Sequence, residues 1–243
     1  MKFSSHASRL ALRLCVVACG TCFALPGVTP ETLFAAPSYR YRMTVTVETP
    51  EGARSGSSVV EVREERPPGL ARELRGMLSV SGEAVAVDLG RRGQLFVLLK
   101  DGSRRASFSS QAGMIIPAIF PDTVQDSSAE RFQRYRRDPL QARLTAEQLP
   151  AMVRFRDPLD PSTVEPVSAH DLEATFGRGV RLRNVVVETT RAPVTREIGQ
   201  HLQWLALARE RQDLLLKGRF WDYRDEGYKR SQRLSPRDFS AGS

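Results

Sequence analysis

Side chains suited to catalysis are scarce in this 243-residue chain, and histidine is the scarcest, with only His6, His170 and His201. His170 lies in Ser168-Ala169-His170-Asp171, where serine and aspartate suit a helix start, so the first turn of a helix is its expected place. A metal site needs further ligands at helical or short-loop spacing, and Asp171 and Glu173 beside one histidine form no recognised set. His201 falls next to the apolar positions of a helical run and reads as a boundary residue. Ser55-Gly56-Ser57-Ser58 and Ser79-Val80-Ser81-Gly82 lack the flanking glycines of a nucleophile elbow. A hydrolase assembled in space from Ser57, His170 and Asp171 is an alternative that sequence order does not forbid, but nothing selects those three residues. Asp157 with Asp160, and Asp225 with Glu226, have the composition for acid/base or calcium work, yet proline-flanked aspartates usually form turns. With no glycine-rich phosphate cradle either, no catalytic, cofactor-binding or metal residue is assigned, and the chain leans away from an enzyme.

All three cysteines, Cys15, Cys19 and Cys22, fall within the first 36 residues. There Lys2, Arg9 and Arg13 precede an apolar run from Leu14 to Leu25, the pattern of a signal peptide over 1–24 and too short to span a bilayer comfortably. Two cleavage readings stay open. Cys22-Phe23-Ala24 offers small residues to a signal peptidase and gives a soluble periplasmic protein from Leu25. Val16-Val17-Ala18-Cys19-Gly20 resembles a lipobox, in which Cys19 is acylated and anchors a lipoprotein in the cell envelope. The second reading leaves an h-region of about nine residues interrupted by Arg13, so the soluble product is favoured. A leader retained on a cytosolic protein is the third reading, and it carries the alternative of a basic nucleic-acid-binding protein acting through Arg131 to Arg137.

Residues 25–243 carry 33 basic and 28 acidic side chains, a net charge of +5. Arginine outnumbers lysine 32 to 4, a skew read first as a coding-sequence bias, because a nucleic-acid binder would concentrate its excess on one face. One stretch does concentrate it. Arg131-Phe132-Gln133-Arg134-Tyr135-Arg136-Arg137 interleaves arginines with aromatics, and helical projection puts Arg131, Arg134 and Tyr135 on one face and Phe132 with Arg136 on another. For an exported protein the fitting partners are an anionic membrane surface or another envelope protein rather than nucleic acid. The segment 218–243 holds Phe220, Trp221, Tyr223, Tyr228 and Phe239, five of 18 aromatics, too many for a disordered tail. It is expected to fold back as an aromatic strap, or else to dock on a partner through rings such as Trp221 and Tyr223.

The elements that position these residues follow from periodicity. Tyr39, Tyr41, Met43, Val45 and Val47 alternate with polar residues, which predicts a half-buried strand. A turn over 49–56 and a second strand over 57–63 complete a hairpin. After a linker over 25–38, an antiparallel meander of four or five strands is expected over 39–113, including a run from Leu78 to Leu89 and another from Gln94 to Lys100. Residues 101–113 read as a loop. Mixed strands and helices follow over 114–217, in one domain with the first half or separate from it. Their signals are a helix over 130–137 capped at Ser127 or Ser128, a capping box from Thr145 to Gln148, strands over 152–156 and 180–189, and a helix opened by Ser168 and Asp171. A long amphipathic C-terminal helix starting at Thr195 carries Ile198, Leu202, Leu205 and Ala208 on one stripe. The fold class is α+β.

The blocks YRYRMTVTVETPEGARSGSSVVEVR (39–63), GEAVAVDLG (82–90), LFVLLK (95–100), VRFRDPLDPSTVEPV (153–167) and FGRGVRLRNVVVETT (176–190) resemble a family of uncharacterised proteobacterial proteins. Several of these begin with export or lipoprotein leaders. The resemblance covers most of the chain after the leader, is weakest over Leu205 to Leu216, and implies no activity and no site residues. Turn and strand residues dominate the shared blocks, which fits a structural role.

Overall fold

The computed structural model describes residues 37–65, 77–101, 111–120, 128–210 and 234–242. The leader with Cys19, the 66–76 connection and the aromatics from Phe220 to Tyr228 lie outside the described residues.

The period-two alternation of the first strand produces the central hairpin. β1 (Ser38–Thr49) pairs antiparallel with β2 (Gly52–Glu65) from Ser38 opposite Arg63 to Thr49 opposite Gly52. The turn is only Pro50 and Glu51, narrower than the 49–56 expected, because Gly56 belongs to the strand. A Cβ at Gly56 would lie 2.0 Å from the carbonyl oxygen of Ala86, so glycine serves here to let another backbone approach. β3 (Met77–Glu83) pairs with the far end of β2, Glu61 to Glu65. At Gly82, with φ +152°, the chain bends and continues as β4 (Val85–Asp88) in a different sheet. The run expected over 78–89 is therefore two strands.

β4 forms a hairpin with β5 (Gln94–Asp101) across the short 3-10 turn Gly90–Arg92. β7 (Pro150–Phe155) and β8 (Val164–Val167) complete a four-stranded sheet in the order β4-β5-β7-β8. The other sheet has six strands, ordered β10-β3-β2-β1-β9-β6, with β6 at Gln141–Arg143, β9 at Arg181–Thr189 and β10 at Ser240–Ala241. All pairings are antiparallel, which makes this an α+β fold with two antiparallel sheets. Since β9 lies against β1 along Tyr41 to Glu48, the two halves expected from the sequence share one sheet.

Between the sheets lies the inner core, with Tyr41, Val45, Val47, Val62, Val87 and Leu95 at 0 % exposure. α1 (Gln111–Ile119) and α2 (Ser128–Arg137) close one end of it. α1 begins inside the stretch expected to be loop, and it contains Pro117. A proline there leaves the Gly113 carbonyl without its usual helical donor. The Tyr39 hydroxyl donates to that oxygen at 3.4 Å, and the Tyr41 hydroxyl donates to the Ala112 carbonyl at 2.9 Å. Burial pushes both phenols above their usual pKa, so they stay protonated donors.

The opposite face of the four-stranded sheet carries the outer core: Phe96, Leu98, Val153, Phe155 and Val164 under Ile198, Leu202, Trp204, Leu205, Ala208 and Phe239. Its cover consists of α4 (Ile198–His201), α5 (Trp204–Glu210) and α6 (Pro236–Phe239), while α3 (Glu173–Phe176) lies in the loop before β9. The continuous helix expected from Thr195 is not what the described residues form. The four stripe residues are buried as expected, but Leu202 leaves the helical region at φ −129°, ψ 78°, which splits the segment into two short helices. Thr195 caps neither of them. Its N–H donates to the Val59 carbonyl at 3.2 Å and its Oγ1 accepts from the Val59 N–H at 2.9 Å. Residues beyond Glu210 on that expected helix lie outside the described residues.

Candidate functional site

α2 begins at Ser128, as its serine and acidic first turn suggested, and its apolar residues decide which side faces out. Phe132 and Tyr135, three residues apart, are 5 % and 2 % exposed. Their rings meet the Tyr39 ring with centroids at 4.9 and 4.8 Å and interplanar angles of 78° and 65°, the edge-to-face geometry aromatic pairs favour. Tyr135, a candidate for a partner surface, is thus a core residue. The projection that grouped it with Arg131 and Arg134 missed that Phe132 and Tyr135 lie close enough in angle to form one buried seam. Arg134, Arg136 and Arg137 point to solvent and Arg131 is half-buried. Arg137 grips Asp138 through two nitrogens at 2.9 and 3.3 Å, which lowers the carboxyl pKa and raises that of the guanidinium. The remaining candidates, Cys19, Trp221 and Tyr223, lie outside the described residues.

Elsewhere the arginine excess has a structural use. Four carboxylates each sit between two guanidinium groups. Glu61 is held by Arg40 and Arg63 at 3.3 and 3.0 Å, and Glu51 by Arg91 and Arg92 at 2.9 and 3.1 Å. Glu165 lies between Arg154 and Arg156 at 2.7 and 2.9 Å, and Glu48 between Arg181 and Arg183. Hydrogen bonds from Arg92 and Arg91 push the Glu51 carboxyl down to about 2. A planar fork serves such shared carboxylates better than a lysine point charge, and each trio keeps one net positive charge.

Of the residues considered for acid/base or metal work, Asp157, Asp160 and Asp171 accept backbone hydrogen bonds, and Asp225 and Glu226 lie outside the described residues. Asp157 Oδ1 accepts from the Leu159 N–H at 2.9 Å and Asp160 Oδ1 from the Ser162 N–H at 2.8 Å, both closing turns. Asp171 Oδ1 accepts from the Ala174 N–H at the start of α3. His170 is exposed beside it, Ser57 lies on β2, and no hydrogen bond joins these three among the described residues. His201 is half-buried, with Nδ1 3.1 Å from the Gln94 amide nitrogen. Among the described residues no group of three or more His, Cys, Asp or Glu is placed to hold a metal ion, and no helix is long and apolar enough to cross a membrane. Between the sheets, a cavity of about 10 Å³ is bordered by Tyr41, Ser58, Glu83 and Val97. That is room for a single water, against the roughly 300 Å³ or more of a small-molecule site.

What sequence reasoning missed is the edge of β2. β3 pairs with β2 only up to Glu61, so the outward backbone groups of Ala53, Ser55 and Ser57 meet no partner strand on that side among the described residues. The signal was Gly82 in the middle of an apolar run, a residue that marks a bend or a close approach inside a strand. Comparison with protein-family models, with curated proteins and with solved structures returned no match.

Proposed function

We propose that this is an exported, envelope-associated interaction module that presents the arginine face of α2 to an anionic membrane surface. The observation that carries the reading is the anchoring of α2. With Phe132 and Tyr135 locked against Tyr39, Arg134, Arg136 and Arg137 are displayed on a helix that cannot roll. A fixed array of guanidinium groups suits a surface of phosphate headgroups, where each basic residue contributes about 1 kcal/mol. The leader over 1–24 and the resemblance to proteins with export leaders supply the location, with release at Leu25 favoured over acylation of Cys19.

Cosedimentation with phosphatidylglycerol vesicles tests the surface. The protein should pellet with them at low salt, far less with phosphatidylcholine, and the combined Arg134→Gln, Arg136→Gln, Arg137→Gln variant should bind about 100-fold more weakly. Equal binding by the variant overturns the reading. Intact mass with cell fractionation tests the location. A periplasmic product starting near Leu25, or a lipid adduct on Cys19, fits export, whereas full-length protein in the cytosol overturns it and turns attention to nucleic acid.

A further inference from the structure

The free edge of β2 carries an inference that does not depend on the arginine helix. In the β1–β2 ladder, even-numbered residues of β2 turn their backbone groups toward β1, as the bond from the Glu64 N–H to the Pro37 carbonyl shows. Odd-numbered residues turn theirs away, as Val59 does toward Thr195. From Glu61 onward those outward groups are taken by β3. At Gly82 the chain bends out of the sheet, and Ser58 Oγ, donating to the Glu83 carbonyl at 2.7 Å, fixes where it leaves. The outward N–H and C=O groups of Ala53, Ser55 and Ser57 therefore have no partner strand among the described residues, and all three residues are exposed.

Natural sheets usually guard such an edge with lysine, proline or a bulge. β2 runs without a register shift here, and its edge side chains are small. Thr195 already occupies the next rung at Val59, so this edge accepts an extended segment; the chain after Thr195 then turns off into α4 and leaves the adjoining rungs without a partner strand among the described residues. Two exposed arginines bracket the open stretch: Arg54 within it, and Arg196 next to Thr195. Neither has an ion-pair partner among the described residues, although elsewhere on this surface arginines pair with Glu48, Glu51, Glu61 and Glu165.

We propose that the β2 edge from Ala53 to Ser57 is a strand-addition site for an extended acidic segment of a partner protein. The incoming chain pairs with the outward backbone groups of Ala53, Ser55 and Ser57, and its carboxylates meet Arg54 and Arg196. Main-chain hydrogen bonds supply the adhesion in such additions, and side chains at alternate positions supply the preference.

The probe is a capped peptide of alternating threonine and glutamate, long enough to span the open stretch, titrated into the folded protein and followed by amide resonances. The amides of Ala53, Ser55 and Ser57 should shift and exchange more slowly. The same peptide with lysine for glutamate should bind about tenfold more weakly. A peptide N-methylated on its pairing face should not bind, and Ser55→Pro should abolish binding while keeping the melting temperature, since a proline on a free edge costs no ladder bond. The proposal is overturned if shifts appear only at the α2 arginines, if the N-methylated peptide binds as well, or if the edge proves to be closed by pairing between two copies of this chain.

Discussion

The two faces of the four-stranded sheet are closed by different devices. Alternate residues of β5 serve both: Leu95, Val97 and Leu99 point to the inner core, Phe96 and Leu98 to the outer. The inner face meets the six-stranded sheet, whose two central strands run 12 and 14 residues in unbroken register. The outer face is covered by helices of four, seven and four residues, brought there by the strap over 190–197 and by the last described residues. The cover is held at few points. Glu83 Oε2 accepts from the N–H groups of Glu197 and Ile198, Thr195 bonds Val59, and the Phe239 carbonyl accepts from the Ala84 N–H. Trp204 Nε1 is buried there and finds no acceptor among the described residues, an omission that costs about 1–3 kcal/mol. Long ladders favour one face behaving as a single cooperative unit, and short pieces joined by a strap are expected to make the other a cover that opens first.

The strongest way to break this contrast is at Gly56, where the two sheets touch. Gly56→Val would drive a Cβ into the Ala86 carbonyl 2.0 Å away, a backbone clash that no rotamer relieves. A loss of about 3 kcal/mol or more is expected, visible as a melt without a single sharp transition, because β4 separates from β2. Phe239→Ala comes next. Its ring is fully buried against Phe155 and Trp204 at 5.8 and 5.7 Å, and truncation should cost about 3–5 kcal/mol. The loss should be local: amide exchange should quicken from Ile198 to Ala208 and stay slow along β1 and β2. Equal loss of protection in both regions would show that the two cores are one unit.

The same division decides what was legible in the sequence. The inner core announces itself through alternation at Tyr39 to Val47 and through the Val and Leu runs, because a strand half-buried in a sheet leaves a period-two record. The outer cover leaves a record of burial but not of shape. Ile198, Leu202, Leu205 and Ala208 were recognisable as one stripe, yet the break falls at Leu202, an apolar residue packed in the cluster with Phe96 and Phe155, and the one glycine nearby, Gly199, lies inside the first short helix rather than at the break. α1 was illegible for the opposite reason: Gly113 and Pro117 argue against a helix, and only the Tyr39 hydroxyl, brought from a distant strand, offsets the missing donor. Among candidate site residues, the arginines of α2 were readable from composition. The open edge of β2 was not, since it depends on a partner strand departing at Gly82.

Those tyrosines allow a finer comparison within the inner core. Tyr41→Phe and Tyr39→Phe each remove one hydroxyl donor and should cost about 1 kcal/mol in denaturant melts. The two should respond differently to Pro117→Ala, which returns an N–H to the helix facing Gly113. With that donor restored, the penalty of Tyr39→Phe should fall by about 0.5 kcal/mol or more, while that of Tyr41→Phe, whose Ala112 acceptor keeps its helical donor, should not change. Equal coupling for both tyrosines would mean that the hydroxyls matter as packing rather than as replacements for a lost helical bond.

The smallest effect separates the two regions by the sign of their pH response. Asp238, in α6, is half-buried, and its partial desolvation raises its carboxyl pKa although Lys100 Nζ at 3.9 Å and the Ser235 N–H pull it down. A carboxyl whose folded pKa is raised contributes stability in acid and loses it as pH climbs through the folded value. Glu51, in the β1–β2 turn, is the reverse: its pKa falls from 4.5 to about 2, so its contribution is present above 4.5 and is lost as pH drops through about 2. Acidification from neutral pH should therefore tighten the outer cover while it begins to loosen the turn, a change kept small at Glu51 by its exposure to solvent. Amide protection factors at Phe239 and Gly52 across that range read the two trends separately. Asp238→Asn should abolish the first and leave the second, and Glu51→Gln should do the opposite, because one group sits in the turn of the six-stranded sheet, the other in the cover of the four-stranded sheet, and they share no partner.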